Sequence, residues 1–332
     1  MKKLLVLLLV FLVHLTVMAQ DAVQLQKNAR AYMQQGDYAN AILILNRAIL
    51  LQPGNMEIAK DLALNYYFAK DYNKALDVIK PLVEKGEADD QCIQIGGDSY
   101  LALEQVKEAE KLYKTGIKKI PGAGILYNEY GKILWMQGDY SAIKQWEKGI
   151  EMDPGFAGNY YNAAKYYYFS KDKVWSLVYG EVFLNIDPQS TYSPEIKNIL
   201  LEGYKKLFAD ADLEKNNPEK NSFVAAFLKT MNKQSSVASA GINAETLTMI
   251  RTRFILDWYA TDATKLPYRL FDLHRQLIRD GLFDAYNQWI FAAAQNLPKY
   301  ESWIAAHNKE YSELNRFQKS RVFKIPTGQY YH

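Results

Sequence analysis

A period of about 34 residues, running from Ala22 to Pro188, restricts this chain more than its composition does. Gly36-Asp37-Tyr38 precedes an apolar stretch that ends in Leu51-Gln52-Pro53, and Gly138-Asp139-Tyr140 precedes another that ends in Met152-Asp153-Pro154. Pro53, Pro121, Pro154 and Pro188 follow one another at intervals of 68, 33 and 34 residues. A unit of that length accommodates two short helices and one turn. It cannot bury its apolar face alone, so it must stack on its neighbours. Proline halts the second helix of each unit because it cannot continue the hydrogen-bond ladder. Small residues in the first helix let the second cross it closely.

Five copies align. The first carries Ala29, Tyr32, Ala41, Leu45, Ala48 and Pro53, and the second Leu62, Ala63, Tyr66, Lys70-Asp71-Tyr72, Ala75, Ile79 and Leu82. The third carries Gly96, Gly97, Tyr100, Ala109, Tyr113, Gly116 and Pro121, the fourth Tyr130, Gly131, Leu134, Trp146 and Pro154, and the fifth Ala163, Ala164, Tyr167, Phe183 and Pro188. The pattern resembles the tetratricopeptide repeat (TPR). That resemblance implies an all-α, right-handed TPR α-solenoid of about five helix pairs plus a capping helix. Ser193-Pro194-Glu195 suits the start of the capping helix, with serine as cap and proline in the first turn.

Ahead of the repeats, Met1-Lys2-Lys3, the apolar run Leu4 to Val13 and Val17-Met18-Ala19 read as a cleavable signal peptide over 1–19. His14 and Thr16 interrupt the run well short of the ~20 apolar residues a membrane span needs, so no transmembrane segment is expected in the mature chain. The junction resembles those of exported Bacteroidota proteins. The expected location is the periplasm or cell envelope.

The remaining boundaries follow composition: a solenoid with its capping helix over 20–209, a polar linker over 210–221, and a helical C-terminal domain over 222–332. In that last part apolar residues recur at helical spacing through Leu247, Ile250, Phe254 and Trp258, then Leu270, Leu273 and Leu277, then Phe283, Trp289 and Phe291. Trp258, Trp289 and Trp303 read as core, and Pro326 to His332 as a mobile end.

Composition excludes several functions. Forty Lys plus Arg against 37 Asp plus Glu leave no basic footprint for nucleic acid. A single cysteine, Cys92, forms no intramolecular disulfide and supports no thiolate zinc site. No HExxH, GK[ST], GxSxG or complete dinucleotide loop occurs. Asp272 lies two residues from His274 on one helix, where neighbours do not face each other, so His274 reads as a packed or surface histidine. Asp98 and Glu129 read as ordinary helix carboxylates. No catalytic residue, cofactor or metal ligand is assigned, no enzymatic activity is expected, and neither is a small-molecule ligand.

What remains is a surface. By the resemblance, the first helix of each pair lines a concave groove, and the residues placed there include Arg30, Lys60, Tyr67, Asn128, Lys132, Trp135, Tyr161, Lys165 and Tyr168. Ammonium and amide donors among aromatic rings suit a protein or peptide partner of acidic character, although Gln94 and Asp98 break the charge pattern. The expected function is a non-enzymatic scaffold or adaptor in the bacterial envelope. The alternative is a carbohydrate-binding envelope protein that stacks sugars on the groove tyrosines.

Overall fold

A computed structural model describes residues 20–210, 212–217 and 220–332, so the signal-peptide reading falls outside the described residues. Among the described residues there are helices and turns but no strand. They divide into two compact units, one up to Ile133 and one from Leu134 on, with the boundary inside a helix.

The first unit begins with α1 (20–34) and continues with α2 (Tyr38–Leu51), α3 (Met56–Phe68), α4 (Tyr72–Lys85), α5 (Asp90–Ala102), α6 (Val106–Lys119) and α7 (Gly124–Met136). Local chemistry sets the starts. The Asp37, Asn55, Asp71 and Asp89 side chains accept the backbone N–H groups of Asn40, Ile58, Lys74 and Cys92, which caps α2, α3, α4 and α5. The period is also written in the backbone. Left-handed residues recur at Gly36, Lys70, Glu104 and Gly138, 34 residues apart, each where a first helix turns into its second. Only two of the four are glycine, because the turn geometry is set by the pair it joins.

From α2 to α6 each helix packs on the next, and the first helices α3 and α5 also touch. Ala29, Ala41, Ala48 and Ala63 are fully buried where helices cross. Gly97 shows how close the crossing is. A Cβ built there would lie 2.3 Å from Cζ of Tyr113 on α6. Cys92 is buried, and burial pushes its thiol up to about 12, which makes it an inert core residue.

The second unit contains α8 (Ala142–Met152), α9 (Ala157–Phe169), α10 (Lys173–Ile186), α11 (Ser193–Ala209), α12 (Ser222–Asn232), the single turn α13 (Ser235–Ala238), α14 (Ala244–Thr261) and α15 (Arg269–Arg279). After α16 (Phe283–Asn287) a π turn, Gln288–Ala292, leads into α17 (Ala293–Gln295), α18 (Leu297–Ala306) and α19 (Asn308–Lys319). α10 is buried on every side from Val174 to Asn185, as its apolar sequence demands.

α11 starts where the sequence places it, but Ser193 does not cap it. Its hydroxyl turns back to the Asp187 and Pro188 carbonyls, 3.4 Å away, and the position before it is Tyr192. α11 meets α9 as one first helix meets the next, and Tyr204 packs edge-on against Phe291 at 5.7 Å. Leu213, in the polar stretch read as a linker, is buried. α19 adds a helix that apolar spacing does not reveal, since Leu314 is its one buried residue. Trp258 and Trp289 are core, as expected, whereas Trp303 is half-buried.

Residues 326–332 depart from the sequence reading. Tyr330, Tyr331 and His332 are half-buried and packed on α8, α9, α10 and α12, because their rings find aromatic partners there.

Candidate functional site

The structure separates the expected groove residues into two sets, one in each unit, and corrects their electrostatics. In the first unit, Arg30 Nε donates to Asp61 Oδ2 at 2.7 Å, and that bond raises the guanidinium pKa. Lys60 is buried and lies 2.6 Å from Glu57 and 2.7 Å from Asp89, with Gln91 at 3.2 Å. Burial alone would lower its pKa, but Asp89 and Glu57 outweigh burial and the net shift is upward. Lys132 bonds Glu129 at 2.6 Å on its own helix, and Glu129 also accepts the Asn128 amide at 2.9 Å.

In the second unit, Lys165 lies 2.8 Å from Glu195 on α11, and Tyr161 donates to the same carboxylate at 2.5 Å. All four cations placed in the groove therefore have carboxylate partners within the chain. The surface is not basic, and the expectation of an acidic partner loses its physical support. Lys132 finds Glu129 on its own helix, but the other three draw a partner from the neighbouring pair, which is why those partners escape a local reading of the sequence. Asp61 lies 31 residues after Arg30, Asp89 29 after Lys60, and Glu195 30 after Lys165. Acids placed one period less three to five residues beyond a base were the available signal.

Two carboxylates passed over as ordinary surface groups are not exposed. Glu129 is buried, and Asp98 accepts the Tyr113 hydroxyl at 3.0 Å. Burial first, then the Glu129 charge, pushes Asp98 up to about 6. Tyr67 is drawn into the same surroundings, raised by burial and by Asp98, with its ring 5.5 Å from Tyr72.

The aromatic candidates differ in availability. Tyr161 packs against Tyr192 at 4.6 Å, and the Lys206 ammonium sits 3.5 Å above the Tyr168 ring. Neither presents an open face for a sugar. Trp135 is 43% exposed, bordered by Tyr140, Trp146 and Tyr166 at 5.8 to 6.1 Å. Large apolar side chains recur at the same register at the ends of first helices: Phe68 is 44% exposed, Met136 66% and Phe169 75%.

The densest polar cluster lies elsewhere in the second unit. Glu181 on α10 is buried and receives the Arg251 guanidinium, His274 Nε2 at 2.7 Å and the Tyr286 hydroxyl at 2.9 Å. Asn287 accepts a second bond from Arg251, and Asn185 donates to Tyr286 at 2.6 Å. The π turn that begins one residue later adjoins this cluster and buries Gln288, Trp289, Ile290 and Phe291 in succession. Burial opposes the Glu181 charge, but Arg251 and His274 overcome it and hold the carboxyl well below its usual range. His274 is lowered by burial despite Glu181. It is a packed histidine, and its bond is to Glu181, while Asp272 takes the Tyr259 hydroxyl. The cluster fastens α10 to α14, α15 and α16.

Among the described residues, no group of three or more His, Cys, Asp or Glu is arranged to hold a metal, and no helix is long and apolar enough to cross a membrane.

Paired helices of this length, closed by a left-handed residue every 34 positions and crossing at small residues, have the geometry of the tetratricopeptide class of α-solenoid. Residues 96–155 match the family model described as tetratricopeptide repeat, and residues 34–116 the model described as anaphase-promoting complex, cyclosome, subunit 3. No curated protein matches the chain.

Among solved structures, the chain is similar to TTC0263, a thermophilic TPR protein of Thermus thermophilus, at 15% identity and a TM-score of 0.44 over 55% of this chain and 99% of that one. It is also similar to a tetratricopeptide repeat protein from Parabacteroides merdae, at 13% identity and a TM-score of 0.42 over 78% and 98%. A third is YrrB, a TPR protein with an unusual peptide-binding site, at 19% identity and a TM-score of 0.37 over 56% and 92%. The tetratricopeptide character of residues 34–155 rests on helix geometry and on the family models.

Proposed function

We propose that this protein is a non-enzymatic scaffold of the bacterial cell envelope that holds a protein or peptide partner against the first helices of its repeats. Tetratricopeptide proteins are in general protein-interaction scaffolds. The observation that carries the reading is the exposure, within the second unit, of Met136 and Phe169 at one register position of successive first helices, with Trp135 beside Met136. Isolated apolar residues on a surface need no explanation, but recurrence at one register marks a contact surface. The cations act differently from the first expectation. Arg30, Lys60 and Lys165 tie successive first helices together, and the partner's chief contact is apolar and aromatic. The signal-peptide pattern of residues 1–19 supports the envelope location.

The test is a crosslinked pull-down of the tagged full chain from fractionated native cells. It compares the wild type, a Phe68→Ser/Trp135→Ser/Phe169→Ser variant, and a Lys60→Ala/Lys132→Ala/Lys165→Ala variant. A stoichiometric partner in the envelope fraction that survives the lysine changes and is lost with the aromatic ones is the expected result. Loss with the lysines alone would restore the basic groove, and recovery of the chain from the cytoplasm would refute the location.

A further inference from the structure

The second unit holds an extended peptide, and that peptide is its own. After α19 the chain runs without regular structure from Arg321 to His332. Its first residues alternate as a strand does. Val322 is 93% exposed, Phe323 buried, Lys324 exposed and Ile325 buried. A turn follows, in which the Gln329 N–H donates to the Pro326 carbonyl at 3.2 Å across Gly328, whose φ of +88° is left-handed.

Every side chain after that turn is engaged. Gln329 Oε1 accepts the Arg269 backbone N–H at 2.6 Å and so caps α15, whose own preceding residue, Tyr268, supplies no cap. Tyr331 stacks on Phe223 at 4.9 Å and donates to the Pro267 carbonyl at 2.6 Å, while its own carbonyl accepts the Asn221 amide at 2.6 Å. His332 lies edge-on to Trp175 at 5.2 Å, with Nε2 2.6 Å from the Tyr167 hydroxyl and Nδ1 3.1 Å from Glu147. Tyr330 borders a cavity of about 440 Å³ shared with Ile150, Met152, Tyr160 and Ile325.

This is how proteins receive extended peptides: side-chain pockets at alternate positions, a few main-chain bonds and aromatic anchors. Apart from the start of α15, which Gln329 caps, the receiving elements are held without the peptide. Asn221 caps α12 through its own Oδ1, and Phe223 and Trp175 stack on each other at 5.5 Å. The segment itself has one internal backbone bond across its turn, and such segments belong to the low-stability end of a fold.

We infer that α8, α9, α10, Asn221–Phe223 and the start of α15 form a receptor for extended peptides that carry two adjacent aromatic rings, occupied reversibly by residues 321–332. The receptor shares α9 with the first-helix surface proposed above but uses Tyr167 of that helix, whereas the surface uses Phe169. Its ligand class is set by Gln329, Tyr331 and His332: an amide that caps a helix, a ring that stacks on Phe223, and a ring that donates toward Glu147.

The experiment uses a fluorescent synthetic peptide of residues 321–332, titrated by anisotropy against the full chain and against a chain that ends at Ser320. Saturable binding to the shortened chain, at least tenfold tighter than to the full chain, is expected. A peptide carrying Tyr331→Ala and His332→Ala should lose that binding. A shortened chain that stays helical yet does not bind overturns the inference, and so does equal binding to both chains. Should the shortened chain fail to fold, the full chain carrying Tyr331→Ala and His332→Ala is titrated instead. Hydrogen exchange of the wild type is then followed at residues 329–332. Exchange there faster than in α10, with peptide binding to the variant only, supports the inference. Exchange as slow as α10, or no binding to the variant, refutes it.

Discussion

The first unit and the second both join helices with carboxylates and cations, and burial makes them different devices. In the first, Arg30–Asp61 links neighbouring first helices at the surface, and Lys60–Asp89 does so beneath a thin cover. In the second, Glu181, Arg251 and His274 are sealed beneath four helices. A surface pair gains about 0 to 1 kcal/mol because water already solvates each charge. A sealed pair has no such alternative, and its members must be kept together once the chain has folded. The first arrangement sets register along an array, and the second locks a particular set of helices onto α10.

The sharpest break of this contrast is Arg251→Met. It strands Glu181 with only a lowered His274 and the Tyr286 hydroxyl, and it should cost about 3 to 5 kcal/mol in denaturant unfolding. Adding Glu181→Gln to the same chain removes the stranded charge and should recover a good part of the loss. A cost below about 1 kcal/mol for Arg251→Met would show the node to be as weakly held as a surface pair.

The two units should also answer acid in opposite directions. Asp98 holds its proton to about 6 folded against an ordinary 3.8, so the folded first unit binds a proton more readily and gains stability as pH falls from 6 to 4. The second unit loses stability over acid pH. Below 6.5 the unfolded chain protonates His274 while burial resists it in the folded state, and below 4.5 the unfolded chain protonates Glu181 while the folded carboxyl keeps its charge down to about 2. Hydrogen exchange resolved by segment at pH 8, 6 and 4.5 separates the two slopes. Asp98→Asn should stabilise the first unit at pH 8 by up to about 2 to 3 kcal/mol, with the gain shrinking toward pH 4. A variant with the same gain at both pH values would show that Asp98 is not the titrating group.

How much of this was legible depended on sequence distance. The helix pairs could be read because Gly97, Ala63 and Pro154 do local work that repeats at a fixed interval. The surface pairs were half legible: Lys60 and Lys165 were found, but Asp89 and Glu195 were missed, since no local pattern ties a base to an acid one repeat away. The node was opaque. Glu181 and Arg251 stand 70 residues apart with no period between them, and an apolar helix such as α10 gives no hint that its one acid is paired. The closing segment misled for the same reason: Tyr330, Tyr331 and His332 look like a loose end until Phe223 and Trp175 are known to lie beneath them.

The smallest effect tests the surface side of the contrast. Lys165→Ala removes a half-exposed ammonium whose pKa, despite burial, is raised by Glu195 and Tyr161. Glu195 keeps the Tyr161 hydroxyl as a donor and has water at hand. The change should therefore cost no more than about 0.5 to 1 kcal/mol, and roughly 0.5 M salt should erase most of it by screening. Lys60→Ala should cost more than Lys165→Ala, since Lys60 is buried between Glu57 and Asp89 and its loss sets two carboxylates against each other. If melting curves gave Lys165→Ala a cost near that of Arg251→Met, burial would not be what distinguishes the two kinds of pair.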